Sequence, residues 1–335
     1  MGDFNSELAR AVEGLKEVFS SRGIIKVIAH ADADGISSAT IIAKLLKKYD
    51  QSFWITTVKQ LEEDTIISLK KDVKKRKYKA IFFLDLGITK IKELSELANF
   101  TKIFIIDHHE ILEECSQENK NLFKVYSTEL TAASLCYKFA RVLGVEKKNA
   151  CFAIIGMTGD LACVSKSNVS IIKDAEESGM KVKKSLSFIS LTKPLYKALE
   201  FSEVYIPGVS GDETGAIKIL REVGIKKDKR SSELNEEEVS RLATAIALRL
   251  KNHHSLVENV YLMKIGNKLF HNQEVSTMLN GAGRLGHGGL GIAFLFGCKH
   301  AQKEIGELYV NYKRYIIKAL NAIEKIEKIK ECNCI

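Results

Sequence analysis

Histidine and aspartate residues recur in this chain where short apolar runs end. They are His30, Asp32 and Asp34 after KVIA, Asp85 after AIFFL, Asp107, His108 and His109 at the end of KIFII, and Asp160 in TGDLA. If the runs are parallel strands, their carboxyl ends meet at one edge of a sheet, where these side chains should converge, with Asp160 joining from a helical segment. Carboxylates and imidazoles held together can ligate divalent cations or move protons.

The five aspartates of this set would repel one another, which raises carboxyl pKa values unless a cation compensates. A single aspartate at a strand end is more often a helix N-cap, but the repetition favours a metal site. We therefore expect His30, Asp32 and Asp34 to hold ions rather than to cap the next helix. The ligands suit Mn²⁺ first, with Mg²⁺, Co²⁺ or Zn²⁺ as alternatives. Two divalent cations about 3.5–4 Å apart would clamp an in-line displacement at phosphorus.

The elements that position these residues are predicted by hydrophobic periodicity. Strand-like apolar runs alternate with amphipathic segments, a pattern typical of βαβ units, and Gly35 is expected to allow a tight turn into a helix that begins at Ile36. The predicted strands are 24–29, 52–58, 80–85, 102–107 and 122–126. The fold class is therefore α/β, a parallel sheet flanked by helices, followed by a helical stretch at 131–181.

The second half of the chain differs from the first in residue composition and in its pattern of predicted elements. Both prolines and two glycines lie at 183–213, which indicates a linker. Downstream lie a polar helix-like stretch, a β-like run, the glycine-dense segment 278–297 and a charged terminal helix. The sequence predicts domains at 1–185 and 206–335, the second smaller and mixed α/β, joined by a linker at 186–205 with a cleft between the domains.

Composition restricts the class of protein. The chain has 335 residues, 45% hydrophobic content and a net charge of +9. No apolar run approaches the ~20 residues of a membrane helix, and the amphipathic N-terminus does not resemble a signal peptide, so cytoplasm is the expected location. Seven cysteines without paired spacings are expected to be reduced. The positive charge favours a polyanionic partner over a merely lysine-rich surface.

The motifs HADADG, FLDLG, DHH and TGDLA resemble, in this order and spacing, the four motifs of the DHH phosphoesterase superfamily over residues 24–165. The resemblance implies a catalytic DHH domain at 1–185 with two metal ions. It assigns ligand roles to His30, Asp32, Asp34, Asp85, His108 and Asp160, with Asp85 bridging the ions. By the same resemblance Asp107 would orient the His108 ring, and His109 would meet the scissile phosphate, so that His109, Asp107 and Asp85 form the catalytic set.

The second half resembles the DHHA1-type substrate-binding domain of the archaeal RecJ-like branch, through LTKPLYKALEFSEVYIPGVSGDETG and VSTMLNGAGRLGHGGLGIAFLFG. Glycines allow backbone N–H groups to approach a phosphate, and an arginine can clamp it with two hydrogen bonds. The substrate-binding candidates are Asn280, Gly283, Arg284, Gly286, His287 and Gly288, expected on the cleft wall opposite the metals. The alternative for this segment is an ordinary tight-turn region with an exposed arginine.

The resemblance implies a metal-dependent exonuclease that hydrolyses single-stranded DNA or RNA to mononucleotides in DNA repair or replication. Its expected partners are single-stranded nucleic acid and the GINS replication complex. One alternative is a small-substrate phosphodiesterase, such as an oligoribonuclease, a phosphoadenosine phosphate phosphatase or a cyclic-dinucleotide hydrolase. Another is a non-catalytic replication scaffold bound to GINS. The polarity of cleavage and the preferred sugar stay open.

Overall fold

The computed structural model describes residues 4–76, 78–111, 119–161, 166–191, 193–250 and 256–325. The chain divides into two compact units. The first contains Met1–Lys181, Met263–Lys268 and Val275–Ile305, and the second contains Val182–Leu262, Leu269–Glu274 and Gly306–Ile335. Among the described helices, none has both the length and the hydropathy to cross a membrane.

The helices of both units are bounded as follows: α1 (Phe4–Phe19), α2 (Ala33–Lys48), α3 (Glu63–Arg76), α4 (Ile91–Leu97), α5 (Ala132–Val142), α6 (Ala150–Gly159), α7 (Val169–Glu177), α8 (Leu195–Glu200), α9 (Glu213–Glu222), α10 (Glu236–Ala247), α11 (Asn272–Arg284), α12 (Gly288–Leu295) and α13 (Lys299–Lys325). Helix α2 is almost wholly buried, because it packs against α5, α6 and α12 as well as against the sheet. This helix carries the first acidic motif at its N-terminus.

The main sheet lies in the first unit and confirms the predicted fold class. Its strands are β1 (Ile25–His30), β2 (Phe53–Val58), β3 (Ala80–Leu84), β4 (Lys102–Asp107) and β5 (Leu122–Tyr126), and each lies within one residue of its predicted bounds. The order is β2-β1-β3-β4-β5, and every neighbouring pair is parallel. The carboxyl ends of β1, β3 and β4 therefore share one edge.

The central strands are buried because helices cover both faces of the sheet. All five residues of β3 are buried, which explains why its sequence is continuously apolar rather than alternating. An aromatic row crosses three strands, with ring centroids 4.7 Å apart between Phe82 and Phe104 and 4.8 Å apart between Phe104 and Phe123. This packing fixes the strand ends that carry the acidic motifs.

The second unit includes the segment predicted as a linker. Phe188, Ile189, Leu195 and Leu199 are each at most 4% exposed and pack in a core with residues of α9 and α10. The described residues of 186–205 thus contribute to a folded core. Burial of their apolar side chains stabilises this segment although proline and glycine favour a loop. The remaining strands are β6 (Lys181–Leu186), β7 (Val257–Ile265) and β8 (Lys268–His271), and they form a sheet in the order β6-β7-β8.

The glycine-dense segment 278–297 also departs from the predicted boundaries. It folds as the C-terminal part of α11 and as α12, and it belongs to the first unit rather than to a separate domain at 206–335. Its glycines permit close helix packing. A Cβ at Gly291 would lie 3.1 Å from Leu279 and 3.2 Å from Ile36. The absence of a side chain at Gly291 therefore allows close contact with Leu279 and with α2.

Candidate metal centre

The acidic and histidine residues predicted to converge do lie together in the first unit. Potential ligand atoms within 4.8 Å of one another form three groups, which are His30, Asp32 and Asp85; Asp34, His108 and Asp160; and Asp85, His108 and His109. Asp85 belongs to two of the groups, and His108 also belongs to two. The first two groups together contain the six residues to which the resemblance assigns ligand roles, so the arrangement could hold two cations.

The first motif forms the connection between β1 and α2. The His30 Nδ1 atom lies 2.6 Å from Asp32 Oδ2 and 3.3 Å from Asp85 Oδ2. Asp32 is also the N-cap of α2, since its Oδ1 accepts a hydrogen bond from the Gly35 N–H at 2.9 Å. The expectation that this aspartate holds ions rather than caps the helix was therefore wrong as an exclusive choice. One oxygen caps α2 while the other faces His30.

Helix α2 begins at Ala33, three residues before the predicted start, so Gly35 lies inside the helix. Its role is close approach rather than a turn, because a Cβ there would overlap the His30 carbonyl group. A side chain at position 35 would push α2 away from the end of β1. The glycine thereby sets the separation between His30 and the acids of α2.

Asp34 is fully buried in the first turn of α2, and its carboxylate lies at the N-terminus of α5. Its carboxylate accepts hydrogen bonds from the backbone N–H groups of Ala132 at 2.7 Å and Ala133 at 3.0 Å. A Cβ at Gly156 would overlap Asp34 Oδ1 and lie 2.6 Å from the Ala133 Cβ. Sequence reasoning missed Ala132, Ala133 and Gly156 as supports of this carboxylate, although the small residues in TAAS and IGMTG were the available signal.

Asp85 follows β3 in a left-handed backbone conformation, with φ of +59°. Such a conformation in a residue other than glycine costs about 1–3 kcal/mol and is found preferentially at functional sites. The side chain is 2% exposed, and Oδ1 has no hydrogen-bond partner among the described residues, although His108 Nε2 lies 3.2 Å away. A buried carboxylate oxygen without a partner, surrounded by other carboxylates and imidazoles, fits a divalent cation.

The DHH motif ends β4, and the structure changes one of its expected contacts. Asp107 Oδ1 lies 2.7 Å from His109 Nδ1, and Oδ2 accepts the Ile88 N–H at 2.9 Å. Asp107 contacts His108 through the His108 backbone N–H, at 2.8 Å. The carboxylate therefore orients the ring of His109 and not that of His108. The His108 ring instead points to Asp85 and to Asp160, whose Oδ2 lies 3.4 Å away.

Mutual repulsion and burial shape the carboxyl pKa values. Burial, followed by the charges of Asp85 and Asp160, raises the pKa of Asp34 well above its usual range. Burial and the charge of Asp85 raise the pKa of Asp160 to about 6. A divalent cation would lower both values by compensating the negative charge. A bound divalent cation would therefore stabilise the ionised form of these carboxylates.

The imidazoles at this edge are the groups that carry positive charge. Hydrogen bonds from the His30 ring to the carboxylates of Asp32 and Asp85 raise the pKa of His30 to about 10. Burial lowers the pKa of His108, but its contacts with Asp85 and Asp160 outweigh that effect and the net shift is upward. The Asp107 hydrogen bond raises the pKa of His109. Protonated histidines thus partly offset the acidic charge, a role that a bound cation would take over.

The predicted substrate-binding residues divide into two kinds. Asn280 Oδ1 accepts the Ala33 N–H at 2.7 Å, and a Cβ at Gly283 would overlap the Ala31 carbonyl. A Cβ at Gly288 would overlap Thr57. These three residues support the loop of the first motif and the adjacent strand.

Arg284, Gly286 and His287 are exposed, and Gly286 has a φ of +81°. Arg284 ends α11 and the other two follow it, in the same unit as the acidic residues, which differs from the predicted location on a second domain. Because Gly283 contacts the Ala31–Asp32 loop, the end of α11 lies beside the first motif.

Comparison with known proteins supports this assignment of motifs. Residues 24–159 match the DHH family N-terminal domain, and residues 188–260 match the DHH-CID domain. The second match covers most of the predicted linker and the start of the predicted DHHA1-type domain. An uncharacterized protein of Methanocaldococcus jannaschii is 30% identical over 336 residues, which is 96% of this chain and 76% of that protein.

Two solved structures show the same fold. CDC45 from Entamoeba histolytica aligns with a TM-score of 0.71 and 13% identity, covering 94% of this chain and 73% of that chain. RecJ from Thermus thermophilus in complex with Mn²⁺ aligns with a TM-score of 0.54 and 17% identity, covering 96% of this chain and 39% of that chain. From its matched domains, its relative and the four motifs at the edge of its parallel sheet, this chain belongs to the DHH family.

Proposed function

We propose that this protein is a metal-dependent phosphodiesterase that degrades single-stranded nucleic acid from one end. The observation that carries the proposal is the convergence of His30, Asp32, Asp34, His108 and Asp160 on buried Asp85, whose Oδ1 has no hydrogen-bond partner among the described residues. The stability of the fold does not explain such a cluster, since buried like charges destabilise a protein. A catalytic metal centre explains its presence.

The ligands of the proposed centre come from four segments. His30, Asp32 and Asp85 would hold one cation, while Asp34, His108 and Asp160 would hold the other together with Asp85. Mn²⁺ is our first choice, with Mg²⁺ or Co²⁺ as alternatives, because the donors mix carboxylate with imidazole. Divalent cations in such a site polarise the phosphoryl group and acidify water.

His109 is the residue that we propose to contact the scissile phosphate. Its Nδ1 is held by Asp107, so the ring orientation is fixed and Nε2 is left to donate a hydrogen bond. The raised pKa of His109 favours the protonated ring, which donates a charge-assisted hydrogen bond to a phosphoryl oxygen. Asp107, being 1% exposed and bonded to the Ile88 N–H, acts as the positioning residue for that ring.

Substrate binding is proposed to use the exposed end of α11. Arg284 and His287 are both exposed there, and neighbouring Gly283 contacts the loop that carries Asp32. An arginine beside a phosphodiesterase centre can hold a second phosphate of the same strand. The net charge of +9 favours a polyanion over a small substrate. DNA repair or replication is the proposed context.

The proposal is tested with end-labelled single strands of DNA and RNA, each labelled at the 5′ or the 3′ end and incubated with Mn²⁺ or with EDTA. We expect mononucleotides and a ladder that shortens from one end, which also assigns the polarity. A dinucleotide serves as the control for substrate length. Cleavage of the dinucleotide alone would instead identify a small-substrate phosphodiesterase.

The second candidate is a non-catalytic replication scaffold that binds the GINS complex. The structural likeness to CDC45 favours it, since that alignment has the TM-score of 0.71 over 94% of this chain. The two candidates differ in one outcome. Folded protein that binds GINS in a pull-down, yet cleaves no strand or dinucleotide with any of the three metals, would establish the scaffold.

A further inference from the structure

The second unit contains a positively charged pocket that the proposed activity does not use. Its volume is about 590 Å³, within the range of small-molecule binding sites. Its walls come from α8, from the segment that follows α8, and from α13. Four cationic side chains line it, namely Lys193, Lys197, Arg314 and Lys318, together with one carboxylate, Glu200, and with Phe201 and Asn321.

Three of these four cations have no ion-pair partner within the described part of the chain. Lys197 is paired, because its Nζ lies 2.8 Å from Glu200 and 2.7 Å from Glu213. Lys193, Arg314 and Lys318 have no carboxylate within ion-pair distance in the described ranges. Three like charges around one concavity repel one another, and an anion bound between them would relieve that repulsion.

Helix α13 holds Arg314 and Lys318 one turn apart on the same face, where both side chains are exposed. The buried side of the same helix anchors it. Lys313 Nζ lies 2.6 Å from Glu203 Oε2, and the Tyr309 hydroxyl donates to Glu203 Oε1 at 2.6 Å. Because these buried contacts fix the helix, the two cations are displayed from a rigid element.

The rest of the pocket is also held in place. Lys193 Nζ lies 5.3 Å from the centre of the Tyr309 ring, a distance typical of a cation–π contact. Tyr205 donates its hydroxyl hydrogen to Asn321 Oδ1 at 2.7 Å, which leaves Asn321 Nδ2 as a donor. A Cβ at Gly211 would lie 2.6 Å from Ile317, so the glycine lets this segment approach α13.

We propose that this pocket binds a phosphate-bearing ligand, either the backbone of a nucleic-acid strand or a free nucleotide. The Arg314 guanidinium can form two hydrogen bonds with one phosphate, and Lys193 and Lys318 add point charges. Phe201 supplies an aromatic ring of the kind on which bases stack. The ligand is therefore both anionic and partly apolar, which fits a nucleotide unit better than inorganic phosphate.

The test compares two double variants that each remove two positive charges from exposed helical positions. Arg314→Ala with Lys318→Ala removes the unpaired cations of α13, and Lys218→Ala with Arg221→Ala on α9 is the control outside the pocket lining. Fluorescence anisotropy measures binding of a fluorescein-labelled oligothymidylate, and calorimetry measures binding of AMP. EDTA is present throughout, so the result does not depend on the proposed phosphodiesterase activity.

We expect the pocket variant to raise the Kd for at least one probe at least about tenfold, since the loss of one hydrogen bond to a charged group already costs about that factor, with the control within about twofold. Loss for the oligonucleotide assigns the strand backbone as the ligand, whereas loss for AMP alone assigns a free nucleotide. Equal weakening by both variants would show a general charge effect and overturn the proposal. Unchanged binding of both probes would also overturn it. So would a protein that binds a hexaglutamate peptide but neither nucleotide probe.

Equal thermal unfolding temperatures of the two variants exclude misfolding. If the temperatures differ, the pocket variant is made with glutamine instead of alanine at both positions.

Discussion

The carboxylate of Asp107 pairs with the ring of His109, its Oδ1 lying 2.7 Å from His109 Nδ1. Because Asp107 reaches His108 through the backbone, we predict that Asp107→Asn lowers strand cleavage about 10–100-fold and leaves Mn²⁺ affinity within about twofold. Cleavage assays and calorimetric Mn²⁺ titrations measure the two effects. His109→Gln should lose as much activity, and the double variant should lose little more than either single variant. A parallel fall in Mn²⁺ affinity would show that Asp107 acts through His108 instead.

Two substitutions that remove the charge of Asp85 should differ in stability, because this residue has a left-handed backbone conformation. Asparagine tolerates a positive φ, whereas alanine does not, so Asp85→Ala should be about 1 kcal/mol less stable than Asp85→Asn. In metal-free protein, Asp85→Asn should be at least as stable as the wild type, because it removes a buried charge from an acidic cluster. Both variants should lose the increase in unfolding free energy that Mn²⁺ gives the wild type. Urea unfolding with EDTA and with Mn²⁺ measures both effects, and retained stabilisation by Mn²⁺ would contradict the ligand role.

Gly156 keeps α6 close to Asp34, and its replacement tests that packing. A Cβ there would overlap Asp34 Oδ1, so Gly156→Ala should destabilise the protein by about 1–3 kcal/mol and weaken Mn²⁺ binding. The matched control is Gly306→Ala in α13, where a Cβ would meet nothing within 4 Å and helix propensity should add about 0.5–1 kcal/mol of stability. Urea unfolding distinguishes the two. Equal effects at both positions would refute the proposed contact with Asp34.

The positions of the strands and the acidic cluster were predictable from sequence because both depend on local patterns. The continuous apolar runs of buried parallel strands end at His30, Asp85 and Asp107, and parallel pairing then brings those ends together. The ring that the Asp107 carboxylate contacts was less predictable. Whether it contacts the ring of His108 or that of His109 depends on backbone directions at the end of β4, which the spacing of the residues does not specify.

The second half was harder to predict because long-range packing overrides local signals. Proline and glycine indicated a linker at 186–205, but Leu195 and Leu199 are buried in a core. The glycines at 283 and 288 suggested a phosphate loop, yet they allow close contact with residues far apart in sequence, Ala31 and Thr57. A glycine in a helix contact and a glycine in a binding loop look alike when only the sequence is known.

Buried His271 predicts acid sensitivity of the second unit. Burial, assisted by the charge of Lys313, lowers the His271 pKa from 6.5 to about 3, so the ring stays neutral in the folded state while the unfolded chain takes up a proton. Stability should therefore fall as pH decreases below about 6.5, by at most about 1.4 kcal/mol per pH unit from this group.

The neighbouring Glu274 has a pKa raised by burial and acts in the opposite direction, so the variant comparison isolates the histidine. Urea unfolding of wild type and His271→Gln at neutral and mildly acidic pH measures the difference in slope. The variant should show the weaker dependence on pH. Identical pH dependence in the two proteins would contradict a neutral, buried His271.

The most direct test of the account is the initial rate of nucleotide release from an end-labelled single strand in Mn²⁺. The account predicts release by the wild type that EDTA abolishes, and a rate at least about 100-fold lower for Asp85→Asn. Asp228→Asn, which removes an exposed acid of the second unit, should match the wild type. Folded, Mn²⁺-bound wild type that releases no nucleotide, or Asp85→Asn that cleaves at the wild-type rate, would contradict the account.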